Sequence, residues 1–162
     1  MKTTIVYYSL SGNVRFAAEA AAKELGAQLL VLEPDKVYPE KGIRKLLAGG
    51  KSAVMGDTPP LKPYSFRPEE CDRVLLATPI WAGRITPPLK SFLTEQKEAL
   101  QGKRIAALFC CSGGSTAKAA EQIRELLGLP ALEAELTLVN PMTKPAEEKQ
   151  HALSAFCRKL AE

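Results

Sequence analysis

Two hydroxyls separated by one residue, Ser9 and Ser11, are followed at once by Gly12, Asn13 and Val14. The run lies between the apolar stretch Ile5-Val6-Tyr7-Tyr8 and a segment whose apolar residues recur at helical spacing. A helix starting there offers unpaired backbone N–H groups and the positive end of its dipole, about half a unit charge, beside the hydroxyls. That combination can cradle an anion such as a phosphate. The same residues also make an ordinary cap and turn, so this loop alone does not choose between a site and a helix start. Neither G-x-G-x-x-G nor G-x-x-x-x-G-K-[ST] occurs, which argues against a Rossmann dinucleotide site and a nucleotide-hydrolysing P-loop.

A second segment, Thr78-Pro79-Ile80-Trp81-Ala82-Gly83, carries the chain's one tryptophan. A ring on a loop, flanked by Pro79 and Gly83, is harder to bury than one within a helix or strand, so Trp81 is expected to stack on a flat ligand. A third segment, Ser112-Gly113-Gly114-Ser115, supplies backbone able to approach a ligand closely. The four cysteines, Cys71, Cys110, Cys111 and Cys157, have no C-x-x-C spacing and only one histidine beside them, so no metal centre is expected. They read as reduced, mainly structural thiols, and adjacent Cys110 and Cys111 on a strand should not both face one site. His151 falls among polar neighbours and is expected at the surface. No residue is assigned a catalytic role.

The elements that must position these loops alternate along the chain. Strand-like runs at Ile5–Tyr8, Leu29–Leu32, Val74–Thr78, Ile105–Cys110 and Leu132–Leu138 are separated by helical stretches, among them 14–25, 88–100 and 116–127, with a closing helix from about Pro145. The first, third and fourth runs are continuously apolar, as central parallel strands are, whereas the last alternates Leu132, Ala134, Leu136 and Leu138 with polar residues, as an edge strand does. The pattern predicts one α/β domain over 1–162, a doubly wound five-stranded parallel sheet between two helical layers, in the order 2-1-3-4-5. The long stretch between the second and third strands has room for a crossover helix around Gly42 to Ala48. In such a sheet ligands bind beyond the carboxyl ends of the strands, where all three loops converge.

The 162 residues, 46% hydrophobic and 25% charged, match a folded domain rather than a disordered or membrane chain. The longest apolar run, Ile105 to Cys111, is far short of the ~18 residues of a membrane span, and without a visible signal peptide a cytoplasmic location is expected. Seven basic residues (Lys36, Lys41, Arg44, Lys45, Lys51, Lys62, Arg67) against two acids give the segment 36–67 a charge of +5 within a total of +4. That patch suits a phosphate or an acidic partner as well as plain solvation, and nucleic acid is not required.

Together the three loops resemble the flavodoxin family over essentially the whole chain. Ser9, Ser11, Gly12 and Asn13 match the family's phosphate loop for FMN, with Val14 where a hydroxyl is common; Thr78-Pro79-Ile80-Trp81-Ala82-Gly83 is similar to its isoalloxazine loop. The resemblance implies FMN as cofactor, held by Ser9, Ser11, Gly12, Asn13 and Val14 at the phosphate, by Thr78 to Gly83 at the ring with Trp81 stacked on it, and by Ser112, Gly113 and Gly114 on the far side. It implies a flavodoxin-like electron-transfer protein serving a redox partner. The alternative is an FMN-dependent NAD(P)H oxidoreductase reducing a quinone or other small acceptor, and a flavin-free signalling domain on the same fold also stays open. Unlike the acidic flavodoxins, the loops Ser9 to Asn13, Thr78 to Pro88 and Cys111 to Thr116 carry Arg84 and no carboxylate, so the reduced flavin should be less destabilised.

Overall fold

A computed structural model describes residues 1–39 and 42–162, with the backbone alone for residues 42–48. The expected basic residues Lys41, Arg44 and Lys45 therefore lie outside the described side chains. Five parallel strands, β1 (Thr3–Tyr7), β2 (Gln28–Val31), β3 (Arg73–Trp81), β5 (Arg104–Cys111) and β6 (Glu135–Val139), form one sheet in the order β2-β1-β3-β5-β6. A two-residue strand, β4 (Arg84–Ile85), pairs antiparallel with the end of β3. Counting the parallel strands alone, this is the expected 2-1-3-4-5 order.

Helices α1 (Asn13–Leu25), α2 (Gly42–Met55), α3 (Pro87–Glu95), α4 (Ala117–Leu127) and α5 (Glu147–Ala161) cover the two faces. Every residue of β1 is buried, and its neighbours are in register with it, Ile5 opposite Leu29 on one side and Leu75 on the other. On one face α1 presents Val14, Ala17, Ala18, Ala21 and Ala22, which let the helix lie close over the sheet, and α5 adds Leu153, Phe156 and Leu160. On the other, Phe92, Ile123, Leu76 and Phe109 form a larger core that also takes in Tyr8, Tyr38 and Trp81. The edge reading of the last strand holds: Glu135, Thr137 and Val139 are exposed and Leu138 is buried. His151 is exposed.

Several boundaries differ from expectation, each for a local reason. β3 does not stop at Thr78 but continues to Trp81, because β4 gives its end a second partner through Ile80–Ile85 and Trp81–Arg84. The helix after Pro87 ends at Glu95, and turns carry the chain through Leu100. β6 begins at Glu135, opposite Ala107, although the chain just before it already touches β5 through the Glu133 N–H and the Ile105 carbonyl at 2.8 Å. The crossover helix runs on past Ala48 to Met55, Gly49 and Gly50 included.

At the amino ends of the strands, opposite the loops, Arg73 is 2% exposed and makes a bidentate pair with Glu133, Nε to Oε2 at 2.5 Å and Nη2 to Oε1 at 2.7 Å. Arg104 adds a third contact to the same carboxylate at 3.0 Å. The carboxylate is held below its ordinary value, first by the hydrogen bond from Arg73.

Candidate functional site

A cleft of about 140 Å³ opens at the carboxyl ends of β1, β3 and β5, on the seam where the strand order reverses. The first loop contributes Ser9, Ser11, Asn13 and Val14, with Leu10 between them. Gly12 has φ 95°, a conformation open chiefly to glycine, and turns the chain into α1 as its N-cap. The Ser9 hydroxyl accepts the N–H of Arg15 at 3.1 Å, doing the capping that Gly12 has no side chain to do. Asn13 and Val14, whose N–H groups have no acceptor within the helix, border the cleft.

Pro79, Ile80, Trp81 and Ala82 form a second wall. Ala82 (φ 51°) and Gly83 (φ 75°) are consecutive left-handed residues between the paired Trp81 and Arg84, the geometry of a type I′ hairpin turn. Thr78 is completely buried; its hydroxyl donates to the carbonyl of Pro79 and lies 2.9 Å from that of Thr86, fixing the base of the hairpin. The third wall is Cys110, Cys111 and Ser112. Both cysteines border the cleft, contrary to the expectation from strand alternation, because the cleft wraps the end of β5 instead of lying on one face. Burial, then the neighbouring Cys111, pushes the Cys110 thiol up to about 12.

Of the residues predicted for a site, Ser9, Ser11, Asn13, Val14, Pro79, Ile80, Trp81, Ala82 and Ser112 border the cleft together. Gly12, Thr78, Gly83, Gly113 and Gly114 do not border it; they shape the loops around it. Sequence reasoning missed Leu10, Gly50 of α2 and Asn140 after β6. Asn140 has a left-handed φ of 45°, and its side chain meets the Ser112 hydroxyl at 3.5 Å. No signal in the three loops points to it.

The expectation that Trp81 resists burial is overturned. The ring is 8% exposed and packed edge-to-face against Tyr38 (centroids 5.0 Å apart) and Tyr8 (5.7 Å). Both partners come from outside its own loop, so the flanking Pro79 and Gly83 say nothing about them. Only a margin of the indole reaches the cleft.

The chemistry of these walls suits a molecule that is anionic at one end and flat and neutral at the other. Dipole, free N–H groups and serine hydroxyls converge at α1, while the remainder is backbone, thiol and apolar side chain. Among the described residues, no Asp, Glu, Lys, Arg or His borders the cleft. Its volume is below the ~300 Å³ typical of pockets that swallow a ligand, so a long ligand would lie along it as in a trough. Among the described residues, no cluster of His, Cys, Asp or Glu is placed to hold a metal, and no helix is long and apolar enough to cross a membrane.

No curated protein sequence matches the chain. Among solved structures it is similar to a flavoprotein of Lactobacillus acidophilus in complex with FMN (21% identity, TM-score 0.72, covering 84% of this chain and 92% of that one). It is also similar to a flavodoxin of Streptococcus pneumoniae (19%, TM-score 0.62, 99% and 98%) and to a WrbA-like flavodoxin of Agrobacterium tumefaciens (14%, TM-score 0.61, 99% and 95%). At these identities the likeness establishes the flavodoxin-like fold. The family model described as NADPH-dependent FMN reductase matches residues 1–140. With that match spanning most of the chain and the cleft at the seam where such a cofactor is held, the protein belongs to the NADPH-dependent FMN reductase family, FMN-binding proteins of flavodoxin-like fold.

Proposed function

We propose that the chain is an FMN-dependent oxidoreductase that takes electrons from NAD(P)H and passes them to a quinone or another small acceptor. The observation that carries this reading is the cleft whose described walls offer neither an exposed aromatic ring nor a charged side chain to the space beside α1. When bound, FMN supplies the electron-accepting and electron-donating chemistry. The residues hold and orient it. The hydroxyls of Ser9 and Ser11 and the N–H groups at Gly12, Asn13 and Val14 take the phosphate, charge-assisted bonds reinforced by the helix dipole. The backbone of Pro79 to Ala82 would border the ring's edge, and Cys110, Cys111 and Ser112 would supply the opposite wall, with Thr78, Gly83, Gly113 and Gly114 shaping the loops behind them. With Trp81 tucked away and no aromatic residue in the Ser112–Ser115 loop, substrate has room to lie against the flavin.

The test is steady-state turnover of the FMN-loaded protein with NADPH and a quinone, with no reductase added. Rapid oxidation of NADPH supports the oxidoreductase. A flavin that binds but takes electrons only from a partner reductase makes the chain a carrier of the flavodoxin type. A purified protein that neither carries colour nor quenches FMN fluorescence sinks both readings.

A further inference from the structure

Glycine is the poorest helix former after proline, so two adjacent glycines inside α2 call for a reason. They have different surroundings. A Cβ on Gly49 would stand 3.1 Å from Cε3 and 3.2 Å from Cδ2 of Trp81, tighter than side chains ordinarily pack, whereas a Cβ on Gly50 would meet only that of Ala82, at a relaxed 3.8 Å. The indole is thus bounded on one side by the backbone of α2 at Gly49 and on others by Tyr38 and Tyr8. Tyr38 is itself tied to α2: its hydroxyl lies 3.2 Å from that of Ser52, which donates to Asp57 at 2.5 Å. Ser52 follows Gly49 by three positions and shares its helix face. One face of α2 therefore seats both Trp81 and the tyrosine against it.

We propose that Gly49 is a positioning residue: by lacking a Cβ it lets α2 close on Trp81 and keep the indole in the Tyr8–Tyr38 box, so that this wall of the cleft stays open to substrate. A side chain at position 49 pushes the indole away from α2 and toward the cleft that it borders. The effect on substrate rests on the FMN-dependent reading; the seating of Trp81 does not.

Trp81 is the only tryptophan, so its fluorescence reports its seat directly. In the protein without flavin, acrylamide quenches Trp81 weakly in the wild type and in Gly50→Ala, and several-fold more strongly in Gly49→Leu. A folded Gly49→Leu protein whose tryptophan stays as shielded as in the wild type overturns the proposal. If Gly49→Leu does not fold, a double-mutant cycle decides: Gly49→Ala lowers the thermal midpoint with Trp81 present and raises it in a Trp81→Leu background, where helix propensity alone acts. Equal effects in the two backgrounds overturn the proposal. With FMN bound, Gly49→Ala raises the KM for quinone several-fold with a smaller change in kcat and in FMN affinity. An unchanged KM despite a displaced ring overturns the substrate half of the proposal. Wild-type protein that does not bind FMN overturns the flavin reading and leaves the result without flavin standing.

Discussion

The side chain of Asn13, the first residue of α1, accepts the backbone N–H of Met142 at 2.9 Å and that of Thr143 at 3.4 Å, pinning the loop after β6 to the start of the helix. The bond needs an acceptor only. Asn13→Asp keeps it and Asn13→Ala loses it, so the alanine variant is expected to lose about 1 kcal/mol of stability by urea unfolding while the aspartate variant stays near wild type. FMN affinity should order the other way for aspartate, because its charge faces the phosphate. An Asn13→Asp protein that binds FMN as tightly as wild type would remove the phosphate from this helix end.

Ser9 and Ser11 divide the work of one loop. Ser9 already spends its acceptor on the N–H of Arg15, so Ser9→Ala should cost about 1 kcal/mol of stability through the lost cap. Ser11 accepts only a long 3.4 Å contact from the Asn13 amide, and Ser11→Ala should leave stability almost unchanged. Its loss should appear instead in FMN titration, as roughly tenfold weaker binding, the worth of one charge-assisted hydrogen bond.

Glu133 sets an acid limit on stability. Its carboxyl is held below the ordinary 4.5, first by hydrogen bonding from Arg73 against an opposing effect of burial, then by the charges of Arg73 and Arg104. A carboxyl depressed in the fold contributes its stability above the unfolded value and loses it as pH falls through the folded one. Unfolding free energy should therefore decline with acidification below about pH 4.5, and less steeply in Glu133→Gln. At neutral pH that variant leaves the buried Arg73 charge without its partner and should cost about 3 kcal/mol, measured by denaturant unfolding.

Ala82 stands at φ 51°, where a Cβ is unwelcome. Ala82→Gly relieves that strain and should raise stability by about 1 kcal/mol, offset in part by the freedom glycine gains in the unfolded chain. A fall in the urea midpoint would mean that the Ala82 methyl group packs more usefully in the cleft wall than its strain costs.

Because no carboxylate among the described residues borders the cleft, the reduced flavin should be more readily formed here than in acidic flavodoxins. Potentiometric titration of the FMN-loaded protein is expected to show a higher potential for the last electron; a very low one would contradict the electrostatic argument.

Much of this architecture can be read from residue order. Continuous apolar runs placed β1, β3 and β5 at the centre, Leu136 and Leu138 alternating with polar residues placed β6 at the edge, and Ser9 to Asn13 marked the start of α1. What could not be read depends on partners far away in sequence. The hairpin at Trp81–Arg84 turns through Ala-Gly, which lacks the Asn-Gly or Asp-Gly signal of such turns. Burial of Trp81 needs Tyr8, Tyr38 and Gly49, three segments that periodicity treats separately. Asn140 joins the cleft only because β6 pairs beside β5 and ends next to it.

The lining of the cleft has one more consequence. Among the described residues no carboxylate, imidazole, ammonium or guanidinium borders it, and the Cys110 thiol is kept protonated far into alkaline solution, so this part of the wall is expected to hold its charge state through the acid and neutral range. A pH dependence measured there in that range is then expected to come from the molecules brought to these walls, a flavin's own proton chemistry included.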